Sequence, residues 1–363
     1  MKAWQIHSYG GLDELQLTDS ARVPVIDSSD RVLVKVSASS VNPLDVGMTG
    51  GYGAVLLNKL RQAEAFSCEQ IVEFPLTLGR DFAGTIVAKG QSVGSDFEIG
   101  DEVFGVTQPH ESGSHAEYVS AHKNLVHKLP EHVNPLEASS ILYTGLTAYS
   151  ALKITGDLAI IPPKNKVVLV IGGSGGVGSA AIQLLKSWGA QVVATCQADA
   201  VPLVQSLKAD YVLDYNTNPS EHISILNSIG KYDIILDAAG LSEAEIANYV
   251  PLLRDWAFAK FITLKSPLLR NIDDNGLVGG MLLNGLSLVS NNLPNLFKGS
   301  SVRWGFFMPL NHGVKEIAHL LENGKMKSVI HKEFQFSELK EAYQTVKDGH
   351  LRGKVVVKMN GET

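Results

Sequence analysis

The run Gly172-Gly173-Ser174-Gly175-Gly176-Val177-Gly178 is the stretch of this sequence best suited to chemistry. It contains Gly173-x-Gly175-x-x-Gly178. Before it stands the apolar, β-branched run Lys166 to Ile171, and after it the helical stretch Ser179 to Trp188. Between a strand and a helix, each glycine has a physical job. The first permits a tight turn, the second lets a pyrophosphate approach the backbone, and the third lets helix and strand pack closely. Amides at the helix N-terminus then point at the phosphates. Ser174, Gly175, Gly176, Val177 and Gly178 are thus candidate dinucleotide-binding residues. The competing reading is a flexible glycine loop without a ligand.

Which dinucleotide binds is a question of charge. An NAD-preferring site places Asp or Glu at the tip of the following strand, about 20 residues on, to hold the ribose 2′-OH. Here the strand Gln191 to Thr195 runs into Cys196 and Gln197, with no acid at its tip and Asp199 slightly beyond. A 2′-phosphate is not repelled there, and Gln197 and Tyr215 are the polar groups expected to meet it. NADPH is the expected cofactor.

The elements that must position this turn follow from periodicity. Residues 1–125 hold many short strands punctuated by Gly and Pro, with alternating valines in Arg31 to Ala38, as in a barrel-like antiparallel domain. Thr85 to Ala88 and Asp101 to Val106 are further expected strands. Pro135 to Lys153 reads as helical. Beyond it, expected strands at 166–171, 191–195, 211–214, 232–237 and 259–264 alternate with helices such as Ala200 to Leu207, the pattern of a doubly wound α/β sheet. Leu268 to Phe297 is apolar, rich in Asn and Gly, and without a clean period. It reads as late elements of that sheet plus an insertion. Helices are expected at Val314 to Leu321 and Ser337 to Lys347, and a last strand at Lys354 to Lys358.

Composition narrows the function classes. The chain has 363 residues, 45% hydrophobic and 19% charged, with a formal net charge of -6. That balance argues against a nucleic-acid partner, which needs a basic surface. No apolar run approaches the roughly 20 residues of a membrane span. Two cysteines, Cys68 and Cys196, cannot form a disulfide framework or a four-cysteine zinc site. The N-terminus reads as a first strand, not as a signal or transit peptide.

Further motifs carry a family resemblance over essentially the whole chain. They are Ser40-Val41-Asn42-Pro43-Leu44-Asp45 with Gly51-Tyr52-Gly53, Leu78-Gly79-Arg80-Asp81-Phe82-Ala83-Gly84, Gly100-Asp101-Glu102-Val103-Phe104, Gly145-Leu146-Thr147-Ala148, the glycine turn, and His350-Leu351-Arg352-Gly353-Lys354. Together they resemble the medium-chain dehydrogenase/reductase superfamily, in its quinone oxidoreductase (zeta-crystallin-like) branch. The long segment Tyr52 to Leu78, the stretch Arg303 to Met308 and Gly349 to Lys354 resemble the mitochondrial, reticulon-interacting members of that branch.

The resemblance implies an α/β fold: a GroES-like β-rich catalytic domain, residues 1–130 with 310–363, and a doubly wound Rossmann domain, residues 131–309. It implies NADPH and a quinone or related activated alkene as acceptor, with ubiquinone metabolism as the setting. A mitochondrial address, with a cytoplasmic one as alternative, a reticulon-type membrane-protein partner and a homodimer belong to the same expectation. By family position, Asn42 and Tyr52 are the expected catalytic hydrogen-bond donors. Thr147, Leu264, Phe307, Met308, His350, Arg352 and Gly353 are expected around the cofactor. Each has a plainer reading: Asn42 a turn residue before proline, Tyr52 a packed loop tyrosine, Thr147 a helix residue bonding its own backbone, Phe307 and Met308 core, His350 and Arg352 a solvated turn.

One departure from the superfamily bears on metal. Its zinc enzymes carry Gly-His-Glu where this chain has Gly79-Arg80-Asp81, so no zinc is expected. Arg80 and Asp81 read as a structural ion pair, Asp45 as structural, and His110 and His115 as solvated loop histidines. Two other readings stay open: an enoyl-thioester reductase with Lys59, Arg61, Arg80 and Arg303 as its basic residues, and a non-enzymatic NADPH-binding partner whose insertions supply surface.

Overall fold

The computed structural model describes residues 1–65, 73–216 and 218–359. Cys68 and the middle of the Tyr52 to Leu78 stretch lie outside the described residues. The chain divides into two units. The first is Met1–Tyr143 with Leu269–Gly280 and Pro309–Thr363; the second is Thr144–Leu268 with Met281–Met308. The second unit therefore starts at Thr144 rather than 131, and Leu269–Gly280 groups with the first.

The first unit is built on a seven-stranded sheet. Its main path runs Ile330–Gln335, Lys354–Lys358, Arg31–Val41, Asp81–Lys89, Glu102–Val106, Val126–Lys128, and Tyr118–His122 pairs with Arg31–Val41. Pairing is antiparallel except between Ile330–Gln335 and Lys354–Lys358. The alternation read from Arg31 onward is real: Val32, Val34, Val36 and Ala38 are buried. The three valines pack with Phe82, Ile86, Val355 and Val357 in one core. At Ser39 and Ser40 the alternation stops and burial becomes continuous, where the strand passes beside Asp81.

The second unit is a six-stranded parallel sheet ordered Tyr211–Asp214, Gln191–Cys196, Val167–Ile171, Ile234–Asp237, Lys260–Thr263, Ser301–Trp304. In chain order this is 3-2-1-4-5-6, the doubly wound arrangement that binds dinucleotides where the strand order reverses. The inner strands are buried on both faces, which is why they read as unbroken apolar runs.

One expected helix differs in detail, and one stretch not read as helical forms a helix. The helical reading of 135–153 resolves into Pro135–Ala138, Leu142–Ser150 and a π-helical turn at Ala151–Thr155. The unperiodic stretch after residue 268 is a 25-residue helix, Leu268–Asn292, broken in φ/ψ at Gly276. Its period was hidden by that break and by a face left exposed, including Val278, Leu282, Leu286 and Val289.

Candidate active site

In the second unit the glycine turn follows Val167–Ile171 and opens the helix Gly176–Ser187. The left-handed residue of the turn is Gly172 (φ 80°), one position before the glycine expected to make it. Gly173 N–H donates to Thr195 O (2.8 Å), tying the turn to the next strand. A Cβ on Gly178 would stand 2.1 Å from Gly172 O, so helix and turn touch there through backbone alone. A Cβ on Gly175 would meet only Gly172 O, at 3.6 Å. The protein leaves that space open, and a phosphate is the group whose approach would need it. Gly175 is the N-cap and offers no side chain, and no side chain among the described residues accepts from the first helical amides. A dinucleotide fits this turn: open amides at a helix start, with room for an anion.

Most other expected cofactor residues of this unit stand past the carboxyl ends of the strands, where such sheets bind ligands. Gln197 follows Gln191–Cys196 and is partly buried. Tyr215 is 40% exposed, and its N–H donates to Cys196 O (3.0 Å), which brings it beside Gln197. Leu264 follows Lys260–Thr263, and Phe307 and Met308 follow Ser301–Trp304, all partly buried. Thr147 is buried on Leu142–Ser150, whose Ser150 Oγ donates to Phe306 O, holding that helix to the last of these loops. One acid escaped the sequence reading: Asp214 pairs in register with Cys196, one strand over.

The first unit holds a buried polar network around Asp81. Its carboxylate accepts from Ser40 Oγ (2.8 Å), Asn42 Nδ2 (2.9 Å) and Tyr143 N (2.6 Å), and Lys354 Nζ stands 3.6 Å away. Lys354 also donates to Asn42 Oδ1 and Val41 O. Burial pulls the Lys354 ammonium down, while Asp81 and Asp45 favour its charge. Asn42 is fully buried with both ends of its amide engaged. It thus differs from the open donor expected of it and acts in the structure as a link between Asp81 and Lys354.

Arg80 does not pair with Asp81, as the sequence suggested. Arg80 Nε stands 3.4 Å from Asp45 Oδ1, and its Nη1 donates to Gln108 O (2.6 Å) and Glu111 O (3.2 Å). Asp45 also receives Asn42 N (2.8 Å) and Gly79 N (3.0 Å), which makes its structural role concrete. Arg80 stands just before the strand Asp81–Lys89, and the two adjacent side chains find different partners. His110 and His115 are buried, not solvated. His115 lies between Tyr343 Oη (3.0 Å) and Ser40 O (3.2 Å), and burial pushes it down to about 4. Among the described residues no three His, Cys, Asp or Glu side chains stand close enough to hold a metal ion.

Tyr52 sits in a turn between two left-handed glycines, Gly51 (φ 86°) and Gly53 (φ 82°), just before the helix Ala54–Glu64. The ring is half-buried against Gly47. Burial raises its phenol above the ordinary range, and Asp273 adds to this against Arg270. The hydroxyl makes no hydrogen bond among the described residues, which leaves a protonated donor.

The late basic turn divides. His350 is exposed in a left-handed conformation, and Arg352 Nη1 folds back onto His350 O (3.1 Å). Gly353 is explained by the fold alone: a Cβ there would stand 2.0 Å from Val329 O. Of the basic residues weighed for a thioester, Arg61 pairs with Glu73 (3.0 Å), Arg80 with Asp45 and Arg303 with Asp157 (3.0 Å), leaving Lys59. Asp273 and Lys354 are the site residues that sequence reasoning missed. Lys354 gave a signal, a lysine set directly before the three valines of the last strand. Asp273 gave none.

Comparisons with known proteins agree with this architecture. Residues 28–131 match the alcohol dehydrogenase GroES-like domain, and residues 207–357 match the zinc-binding dehydrogenase family. The chain is 42% identical to the mitochondrial NAD(P)H oxidoreductase RTN4IP1 of Drosophila melanogaster, over 100% of this chain and 87% of that protein. It is 32% identical to the mitochondrial reticulon-4-interacting protein 1 of Caenorhabditis elegans, over 99% and 95%. Its fold matches the quinone oxidoreductase of Coxiella burnetii with a TM-score of 0.75 at 24% identity, covering 99% of both chains. The chain is an oxidoreductase of the medium-chain dehydrogenase/reductase family and belongs to the group that contains the mitochondrial NAD(P)H oxidoreductases RTN4IP1.

Proposed function

We propose that this chain is an NADPH-dependent, zinc-independent reductase of a quinone or related activated alkene, acting in mitochondria, with ubiquinone metabolism as its setting. The observation that carries the reading is the open, glycine-entered helix start at the carboxyl end of the 3-2-1-4-5-6 sheet. The names of the close relatives support an NAD(P)H cofactor and a mitochondrial address. The acid-free tip at Cys196-Gln197 favours the 2′-phosphate. Gln197, Tyr215, Thr147, Leu264, Phe307 and Met308 would surround the dinucleotide within the second unit, and His350 and Arg352 are proposed as further cofactor residues on the family resemblance. Arg80, a paired cation at the family's metal-ligand position, supports a mechanism without zinc.

A bound nicotinamide supplies a hydride, which is the cofactor's own chemistry. The resulting quinol anion needs one proton, and Tyr52 Oη delivers it and is refilled from solvent. Asn42 is a positioning residue here, bracing Asp81 and Lys354 behind that loop. A quinone is favoured over a thioester because three of the four basic residues weighed for the latter are committed to carboxylates. A reticulon-type membrane protein is proposed as partner on the name of the C. elegans relative.

Mixing the purified protein with NADPH and a series of quinones, then with enoyl thioesters, tests the reading. Turnover with quinones and a Tyr52→Phe loss of about 100-fold in kcat are expected. Turnover with thioesters alone would replace the acceptor. Tight NADPH binding with no oxidation of either class would leave a binding protein, and tighter NADH binding would reverse the cofactor choice.

A further inference from the structure

The segment Leu269–Gly280 interrupts the nucleotide-binding sequence yet belongs to the first unit. One residue of it reaches the Tyr52 turn. Asp273 Oδ2 accepts from Gly53 N–H (2.6 Å), and Oδ1 from Val55 N–H (3.1 Å). Leu269 of the same segment packs there as well, since a Cβ on Gly53 would lie 3.3 Å from Leu269 Cδ1.

The turn's own backbone ties it only in part: Gly51 N–H donates to Met48 O (3.1 Å), Tyr52 N–H to Gly47 O (3.2 Å) and Ala54 N–H to Gly51 O (3.1 Å). Both glycines flanking Tyr52 move freely between conformations. The helix after it starts from Gly53, which has no side chain with which to cap. At this start Ala54 N–H is taken by Gly51 O, while Gly53 N–H and Val55 N–H depend on a partner outside the turn. A carboxylate that takes both makes charge-assisted bonds and complements the helix dipole. It also joins the start of the turn's helix to a separate helix. We propose that Asp273 is a positioning residue for the reaction: by clamping Gly53 and Val55 it fixes where Tyr52 Oη stands relative to the acceptor. The proposal rests on the reading of Tyr52 as proton donor. Its negative charge acts in the same direction, helping to keep the phenol protonated until it is used.

The rival role is a helix cap that matters only for stability, and a mutant cycle separates the two. Wild type, Tyr52→Phe, Asp273→Ala and the double variant are assayed with saturating NADPH and a soluble benzoquinone. NADPH affinity is followed by fluorescence. Asp273→Asn, which keeps one acceptor oxygen, stands in if Asp273→Ala does not fold. The clamp predicts a fall in kcat of about 10- to 100-fold for Asp273→Ala, the scale of a small misplacement of a reacting group. It predicts NADPH affinity within about twofold of wild type. In the Tyr52→Phe background the same substitution changes kcat by less than about twofold, because the group it positions is gone. Asp273→Asn moves the basic limb of the rate profile to lower pH. Equal losses in both backgrounds, or an unchanged kcat with an unmoved limb, would overturn the clamp while leaving Tyr52 in place. Wild-type turnover by Tyr52→Phe would overturn the donor and the clamp together.

Discussion

Two α-helices among the described residues start from a glycine, and their ends are completed in opposite ways. Gly53 opens Ala54–Glu64, and Asp273 fills the helix start with a carboxylate. Gly175 opens Gly176–Ser187, and no side chain among the described residues fills that start. The exposed amides and the dipole are the same in both cases. The difference lies in who brings the anion. Where the chain brings its own, the end is structural and holds a loop. Where it leaves the place empty, the end is prepared for an anion from outside.

The harshest way to break this comparison is Gly178→Val. The new side chain would start 2.1 Å from Gly172 O, so the turn must open. Dinucleotide binding should disappear, with at least about 3 kcal/mol of stability. A denaturation curve and a titration with NADPH check both. Gly175→Asp is subtler and more telling. Gly175 already has the extended N-cap geometry (φ −75°, ψ 174°) that a capping Asp adopts. The variant should make the second helix resemble the first. Its unliganded form gains roughly 0.5 kcal/mol, while NADPH affinity falls at least about 100-fold. Unchanged affinity would mean that the phosphates bind elsewhere.

The next test concerns pH. As the proposed donor, Tyr52 would act in its protonated form, and burial raises its pKa above that of an ordinary phenol, with Asp273 adding to it. The active form is therefore present at neutral pH and is lost as pH rises through the folded-state value. kcat should stay level through neutral pH and fall, about tenfold per unit, only above the ordinary phenol range. A basic limb below pH 9 would exclude this phenol as donor. The smallest expected effect is on stability at the filled end. Asp273→Ala removes a cap and should cost about 1 kcal/mol, read as a lower melting temperature.

The two ends also differ in how far the sequence disclosed them. The open end is a local pattern: strand, glycines and helix fall within one continuous stretch, and each glycine answers to a close backbone approach. Its one surprise, the left-handed residue at Gly172, is a shift of a single position. The parallel strands were legible because double-sided burial demands unbroken apolar runs. The filled end is a long-range pairing of residues 53 and 273, and no local pattern marks an aspartate whose partners are backbone amides. The pairing of Arg80 and Asp81 was misread for a related reason. Adjacency in sequence does not fix a pairing: at the entry to the strand Asp81–Lys89, Arg80 turned to Asp45 and Asp81 to Lys354. The buried histidines were misjudged because glycine and serine neighbours suggested a loop open to water, while Tyr343 and Ser40 enclose His115.

The excursion of Leu269–Gly280 also limits how this chain can be recombined. In sequence, the part that binds the nucleotide reads as a module that could be exchanged between relatives. Asp273 would travel with it. The recipient's Tyr52 turn would then depend on whatever residue the donor carried at that place, and a mismatch would impair proton delivery while nucleotide binding stayed intact. A chimera cut at the strand boundaries would carry that dependence unseen unless the cut spared residues 269–280.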